Sequence, residues 1–263
     1  MSVIAIYQVD AFTNNVFEGN PAAICPLQEW LPEDVMQKIA MENNLAETAF
    51  IVSYEDAWQI RWFTPAVEVA LCGHATLAAA HCFYEQLGYN KNEIRFFSKS
   101  GWLTVSKKSN GQLTLDFPAD HAAEVSEIPD AIFEGLGIKS TRVYKGKFDY
   151  LVELDSEAAI GALKPDFRKL STLDSRGILA TAKGEHSDFV SRCFFPQSGI
   201  DEDPVTGSAH CLLTTYWHDK TGKNVFSAIQ LSARKGTMEC ELKGDRVLMT
   251  GSAKTYLKGE IYI

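Results

Sequence analysis

Apolar residues in this chain fall mostly in short runs of strand length, closed off by Gly, Pro, Asn or Asp. The opening residues, MSVIAIY, predict a first β-strand, and residues 48–52 (TAFIV) and 177–181 (GILAT) predict buried strands. Pro32-Glu33-Asp34 opens a helix carrying Val35, Met36, Ile39 and Ala40, because Pro suits a first helical turn and acids complement its positive end. Pro129-Asp130 opens a shorter helix with Ile132, Phe133 and Leu136, closed by Gly137. Two helical stretches lack a polar face: residues 75–83, ATLAAAHCF, and 209–217, AHCLLTTYW. A helix that is apolar all round is buried, so each is expected inside a strongly curved sheet.

The two stretches belong to a longer repeat. Arg61-Trp-Phe-Thr-Pro65 recurs 131 residues later as Arg192-Cys-Phe-Phe-Pro196. Each copy continues with an acidic segment, Glu68 or Asp201-Glu202-Asp203, then a small-residue turn at Gly73 or Gly207. The apolar helix follows, ending at Gly88 or Gly222. Strands opening at Gly101 or Gly236 come next, then Leu113 answering Val247. Features kept in one order at a nearly constant offset point to a duplicated unit. Upstream, the helix at Pro32 is matched more loosely to the one at Pro129. The expected halves are residues 1–118 and 119–256, with residues 257–263 returning as a strand to the first.

Composition narrows the function. The 263 residues carry a formal net charge of −9 and no cluster of Lys and Arg, which argues against nucleic acid. The longest apolar stretch, residues 67–84, is broken by Glu68, His74, Thr76 and His81, so no membrane span is expected. No basic, cleavable leader is visible, and six scattered cysteines without a C-x-x-C pair read as reduced thiols in a cytoplasmic protein. Each central helix begins in a turn whose free N–H groups favour an anion. Singly, such a turn is only a helix start. Duplicated about a pseudo-two-fold, both could serve one small carboxylate without a metal or a basic residue.

Four motifs then occur together: Gly19-Asn-Pro-Ala-Ala23, Asn44-Leu-Ala-Glu-Thr-Ala-Phe50, Glu68-Val-Ala-Leu-Cys-Gly-His-Ala-Thr76, and Gly199-Ile-Asp-Glu-Asp-Pro-Val-Thr-Gly-Ser-Ala-His210. Along essentially its whole length the chain resembles the PhzF-like family of phenazine-biosynthesis-like isomerases. The resemblance implies an α+β (mixed α/β), diaminopimelate epimerase-like fold, with two pseudo-symmetric halves, each a barrel-like mixed sheet around a central helix, and the active site between them. It implies a cofactor-independent isomerase that is commonly a homodimer and acts on a small anionic metabolite. Glu47 falls on the family's acid/base position, and a carboxylate beside a substrate carbon can take a proton and return it elsewhere. His74 and Asp203 fall on further catalytic positions, and Gly73, Gly207 and Ser208 on the substrate carboxylate's binding positions. The helix dipole is expected to depress His74 toward neutral imidazole. His81, His210 and His218 are expected to be structural, and no metal is expected.

Related epimerases use two opposed thiols. Cys72 matches the first, Pro204 stands at the second, and Cys72 is therefore read as a buried structural cysteine. Ala46 replaces a serine of the phenazine enzymes, so phenazine synthesis itself is not implied. Two other readings stay open: an amino-acid racemase or epimerase using Cys72, and a non-catalytic small-ligand-binding protein.

Overall fold

A computed structural model describes residues 2–139 and 141–263. Met1, included above in the opening strand, lies outside the described residues. Contacts gather into two units: one runs to Asp116 and takes in Thr250–Ile263, the other is Phe117–Met249.

The first unit contains β1 (Val3–Ala11), β2 (Asn20–Leu27), α1 (Glu33–Asn43), β3 (Glu47–Tyr54), β4 (Ala57–Phe63), β5 (Glu68–Val69), α2 (Gly73–Glu85), β6 (Glu93–Ser98) and β7 (Gly101–Lys107), and most of β8 (Leu113–Pro118). The chain's last strand, Ala253–Tyr262, runs antiparallel along β1. Next in the sheet come β2, β3, β4, β6, β7 and β8, with β2–β3 and β4–β6 parallel and the rest antiparallel. Parallel neighbours need crossovers, which α1 and α2 supply. α1 packs Met36, Ile39 and Ala40 against Ile4, Ile6, Phe50 and Phe63. α2, buried nearly throughout, packs on β1, β2, β3, β7 and the last strand. It ends at Glu85 rather than at Gly88.

The second unit repeats this order. It holds β9 (Ala123–Glu124), α3 (Asp130–Leu136), β10 (Val143–Lys145), β11 (Asp149–Glu153), α4 (Glu157–Gly161), α5 (Phe167–Leu170), β12 (Gly177–Lys183), β13 (Phe189–Phe195), β14 (Ile200–Asp203), α6 (Gly207–Thr221), β15 (Val225–Gln230), β16 (Gly236–Lys243) and most of β17 (Arg246–Gly251). β11–β12 and β13–β15 are parallel, and β12–β13 and β15–β16 antiparallel, as in the first unit. α6 is buried from Ala209 to Trp217 and stops at Gly222 in the left-handed conformation, φ 74°. The looser helix match needs correcting: α1's counterpart, the crossover between parallel strands, is α4 with α5. α3 instead precedes β10 and packs against α5.

One matched pair of side chains marks the duplication. Arg61 Nε and Nη2 each lie 2.7 Å from Glu68, and Arg192 Nε and Nη2 each lie 2.7 Å from Glu202. Both are forked guanidinium–carboxylate contacts leading into a helix start. Among the described residues no helix is long and apolar enough to cross a membrane.

Candidate active site

In the first unit, parallel pairing of β2 with β3 sets Ala22 beside Glu47, at the head of both strands. The α2 start lies against those heads, and Cys72 is its N-cap, with φ −144° and no side-chain cap. Thr76 Oγ1 donates back to the Cys72 carbonyl. His74, only 4% exposed, comes through this arrangement to Glu47, 8% exposed, with Nε2 3.0 Å from Oε2. Its Nδ1 lies 3.1 Å from Asn20 Nδ2 and 3.5 Å from Cys72 Sγ. The Asn20 amide can serve either state of the ring, donating to a bare Nδ1 or, turned over, accepting from a protonated one.

The charge state of His74 reverses the expectation. Burial, the largest single influence, pushes its pKa down, but Cys72 and Glu47 together outweigh it and hold the imidazole well above its ordinary value. Burial, followed by the Glu47 charge, pushes the Cys72 thiol up to about 11. Cys72 therefore stays a thiol at neutral pH, and the Glu47 carboxyl group is the partner in direct contact with His74 Nε2. A helix start alone is a weaker field than a carboxylate at 3.0 Å. Glu47 Oε2 receives no other hydrogen bond among the described residues. The donor atoms of Glu47, Cys72 and His74 lie within 4.8 Å of one another, close enough to share a proton or a small divalent ion.

In the second unit Thr206 is the N-cap of α6, where the first unit has Cys72. Its hydroxyl donates to Asp203 Oδ2 at 2.5 Å, and its N–H donates to Gln230 Oε1 at 2.8 Å. Gln230 Nε2 donates to the Asp203 carbonyl at 2.6 Å, so the turn before Gly207 is held from three sides. Pro204 lies two residues before the cap, and this helix start carries no thiol. Ser208 Oγ accepts from Arg176 Nη1 at 3.1 Å, and Arg176 is forked onto Asp149.

Glu47 and His74 thus meet within the first unit, and Asp203, Gly207 and Ser208 cluster within the second. The three histidines set aside have local partners: His81 reaches Thr255, His210 Nδ1 donates to the Thr206 carbonyl, and His218 Nδ1 donates to the Lys223 carbonyl. Sequence reasoning gave Asn20, Asp149, Arg176 and Gln230 no role. The signal present was a lone Arg immediately before the buried run 177–181.

Comparison with known proteins adds the family context. The family model described as "Phenazine biosynthesis-like protein" matches residues 9–259. An uncharacterized isomerase of Halalkalibacterium halodurans is 47% identical over the whole of both chains. The crystal structure of a PhzF-family phenazine biosynthesis protein from Enterococcus faecalis superposes with a TM-score of 0.96 at 44% identity, covering 100% of each chain. A probable proline racemase from Agrobacterium radiobacter shares the fold alone, with a TM-score of 0.65 at 10% identity over 99% of this chain and 92% of its own.

Proposed function

The chain belongs to the phenazine biosynthesis-like (PhzC-PhzF) family and is an isomerase of diaminopimelate epimerase-like fold, and from that premise we propose that Glu47 shuttles a proton between carbons of a small carboxylate-bearing metabolite. One observation carries the reading: a buried carboxylate oxygen whose one close partner among the described residues is the buried imidazole of His74. An acceptor so placed is shielded from water and held in a fixed position by the imidazole, as a carbon base requires.

Glu47 takes a proton from a carbon next to the substrate's carboxylate. The electron pair left behind delocalises, and the same carboxyl group of Glu47 returns the proton to a second carbon. His74, 3.0 Å from Glu47, orients the carboxyl group and opposes the negative charge that passes to the substrate. The N–H groups at Gly73 and Gly207, with the Ser208 hydroxyl, hold the substrate carboxylate. Asp203 assists from the second unit by accepting the Thr206 hydroxyl, which fixes the turn before Ser208. No cofactor enters this scheme. A thiol pushed up to about 11 is a poor base at neutral pH, which disfavours the Cys72-centred racemase.

The test works on a substrate whose identity is still open. The protein is incubated with a metabolite extract in D2O, and mass spectrometry seeks a small acid that gains deuterium. Glu47→Gln is expected to lower that exchange about a thousandfold. Undiminished exchange would sink the reading. We also propose a cytoplasmic homodimer. The free state of all six cysteines supports a reducing compartment, and sedimentation checks the dimer.

A further inference from the structure

The sheet registers set one more residue against the second helix start. Phe63 and Phe194 hold the same place in the repeated R-x-F-x-P. Phe63 lies opposite Thr48, and Phe194 opposite Ile178. The counterpart of Glu47 is therefore Gly177, and Arg176 stands one residue earlier at the head of the same strand. No carboxylate fits at Gly177: a Cβ there would fall 2.2 Å from Phe195 Cδ1 and 2.6 Å from the Phe194 carbonyl oxygen.

Each of the three guanidinium nitrogens of Arg176 donates one hydrogen bond. Nε donates to Asp149 Oδ1 at 2.9 Å, Nη2 to Asp149 Oδ2, and Nη1 to Ser208 Oγ at 3.1 Å. The Phe148 and Phe195 rings lie 5.4 and 5.5 Å from its guanidinium carbon. Asp149 is buried, so the fork has a fixed base. A guanidinium has no acceptor, which forces the Ser208 oxygen to accept from it. The Ser208 hydroxyl proton, which no other described residue receives, is then left to donate outward.

We infer that Arg176 is a positioning residue: it occupies one lone pair of Ser208, leaves the O–H to donate and sets a fixed positive charge beside it, and so makes the second helix start selective for an acceptor-only group, a carboxylate, over an ammonium. The inference rests on the reading that Ser208 holds the substrate carboxylate. Each copy then uses the head of the same strand to direct a charged side chain at its own helix start, a carboxylate in the first and a guanidinium in the second.

The probe is malonate, titrated into the ¹⁵N-labelled full chain while the amide resonances of Gly207 and Ser208 are followed. Wild-type protein is expected to show saturable shifts with malonate and none with ethylammonium. Ser208→Ala and Arg176→Lys should each weaken malonate about tenfold. Their combination should be no weaker than Ser208→Ala alone, because Arg176 acts through Ser208. A second variant, Asp149→Asn with Arg176→Met, removes the ion pair without stranding a buried charge and should reproduce the loss. If Ser208→Ala weakens malonate while folded Arg176→Lys and the double variant bind as wild type, this inference alone fails. If Ser208→Ala has no effect, or if the wild type shows no shifts at Gly207 and Ser208, the reading of Ser208 fails with it.

Discussion

The two helix starts share a frame and differ in chemistry. Each follows a forked Arg–Glu pair, each opens at a glycine, and each faces the head of a strand that has a parallel neighbour. The first start presents His74 to Glu47; the second presents Ser208 to Arg176. Duplication thus supplied two equivalent places, and one came to set an imidazole against a carboxyl group while the other set a hydroxyl against a guanidinium held by Asp149. The strand order and the buried helix were kept, while the crossover helices and the side chains at the helix starts diverged.

The sharpest way to break that contrast is to exchange the two kinds of loss. Glu47→Gln should cut deuterium exchange about a thousandfold at any substrate concentration, whereas Ser208→Ala should act mainly by raising the concentration needed for half-maximal exchange. Equal effects on both parameters would erase the division of labour.

The frame itself is unequal in strength. Arg192 donates not only to Glu202 but also to the carbonyls of Ile160 and Leu163, while Glu68 has Lys99 as a second cation beside Arg61. Arg192→Met should therefore cost about 3 kcal/mol, and Arg61→Met about 1 kcal/mol, in urea unfolding. The reverse order would show that the second copy does not depend on its own anchor.

Histidines in the two helices should give opposite pH slopes. His74 has its folded pKa raised, so its contribution to stability is full below about pH 6.5 and is lost as pH rises through the higher folded value. His210 is pushed down to about 4 by burial, so its contribution is full above about pH 6.5 and is lost as pH falls toward 4. That second loss amounts to about 3 kcal/mol. Urea midpoints of His74→Gln and His210→Gln across pH should each flatten one limb only; a variant that flattens both would refute the assignment. The smallest effect belongs to Cys72→Ala, which should retain exchange within about threefold of wild type, a change too small for loss of a catalytic base.

Much of this is readable without coordinates. Helices α1, α3, α2 and α6 carry their own punctuation, and the all-apolar stretches announce that two of them are buried. What stays hidden is short or distant. α4 and α5 span five and four residues, too few for a period to show, so the chain's punctuation pairs α3 with α1 instead. His74's charge depends on Glu47, a neighbour brought in by the β2–β3 register and invisible to any local rule. Arg176 matters because Gly177 lets Phe195 lie close beside it, a contact that no spacing encodes.

The last strand, pairing with β1, has a consequence for biosynthesis. Ser2 and Ile263 exchange backbone hydrogen bonds of 2.7 and 3.0 Å, so residues synthesised before the second unit and residues synthesised after it are sheet neighbours. The first unit cannot finish its sheet until the entire second unit has been translated, and β1 waits meanwhile with an open edge. Order of synthesis and order of completion are thus inverted: the unit begun first is the one completed last.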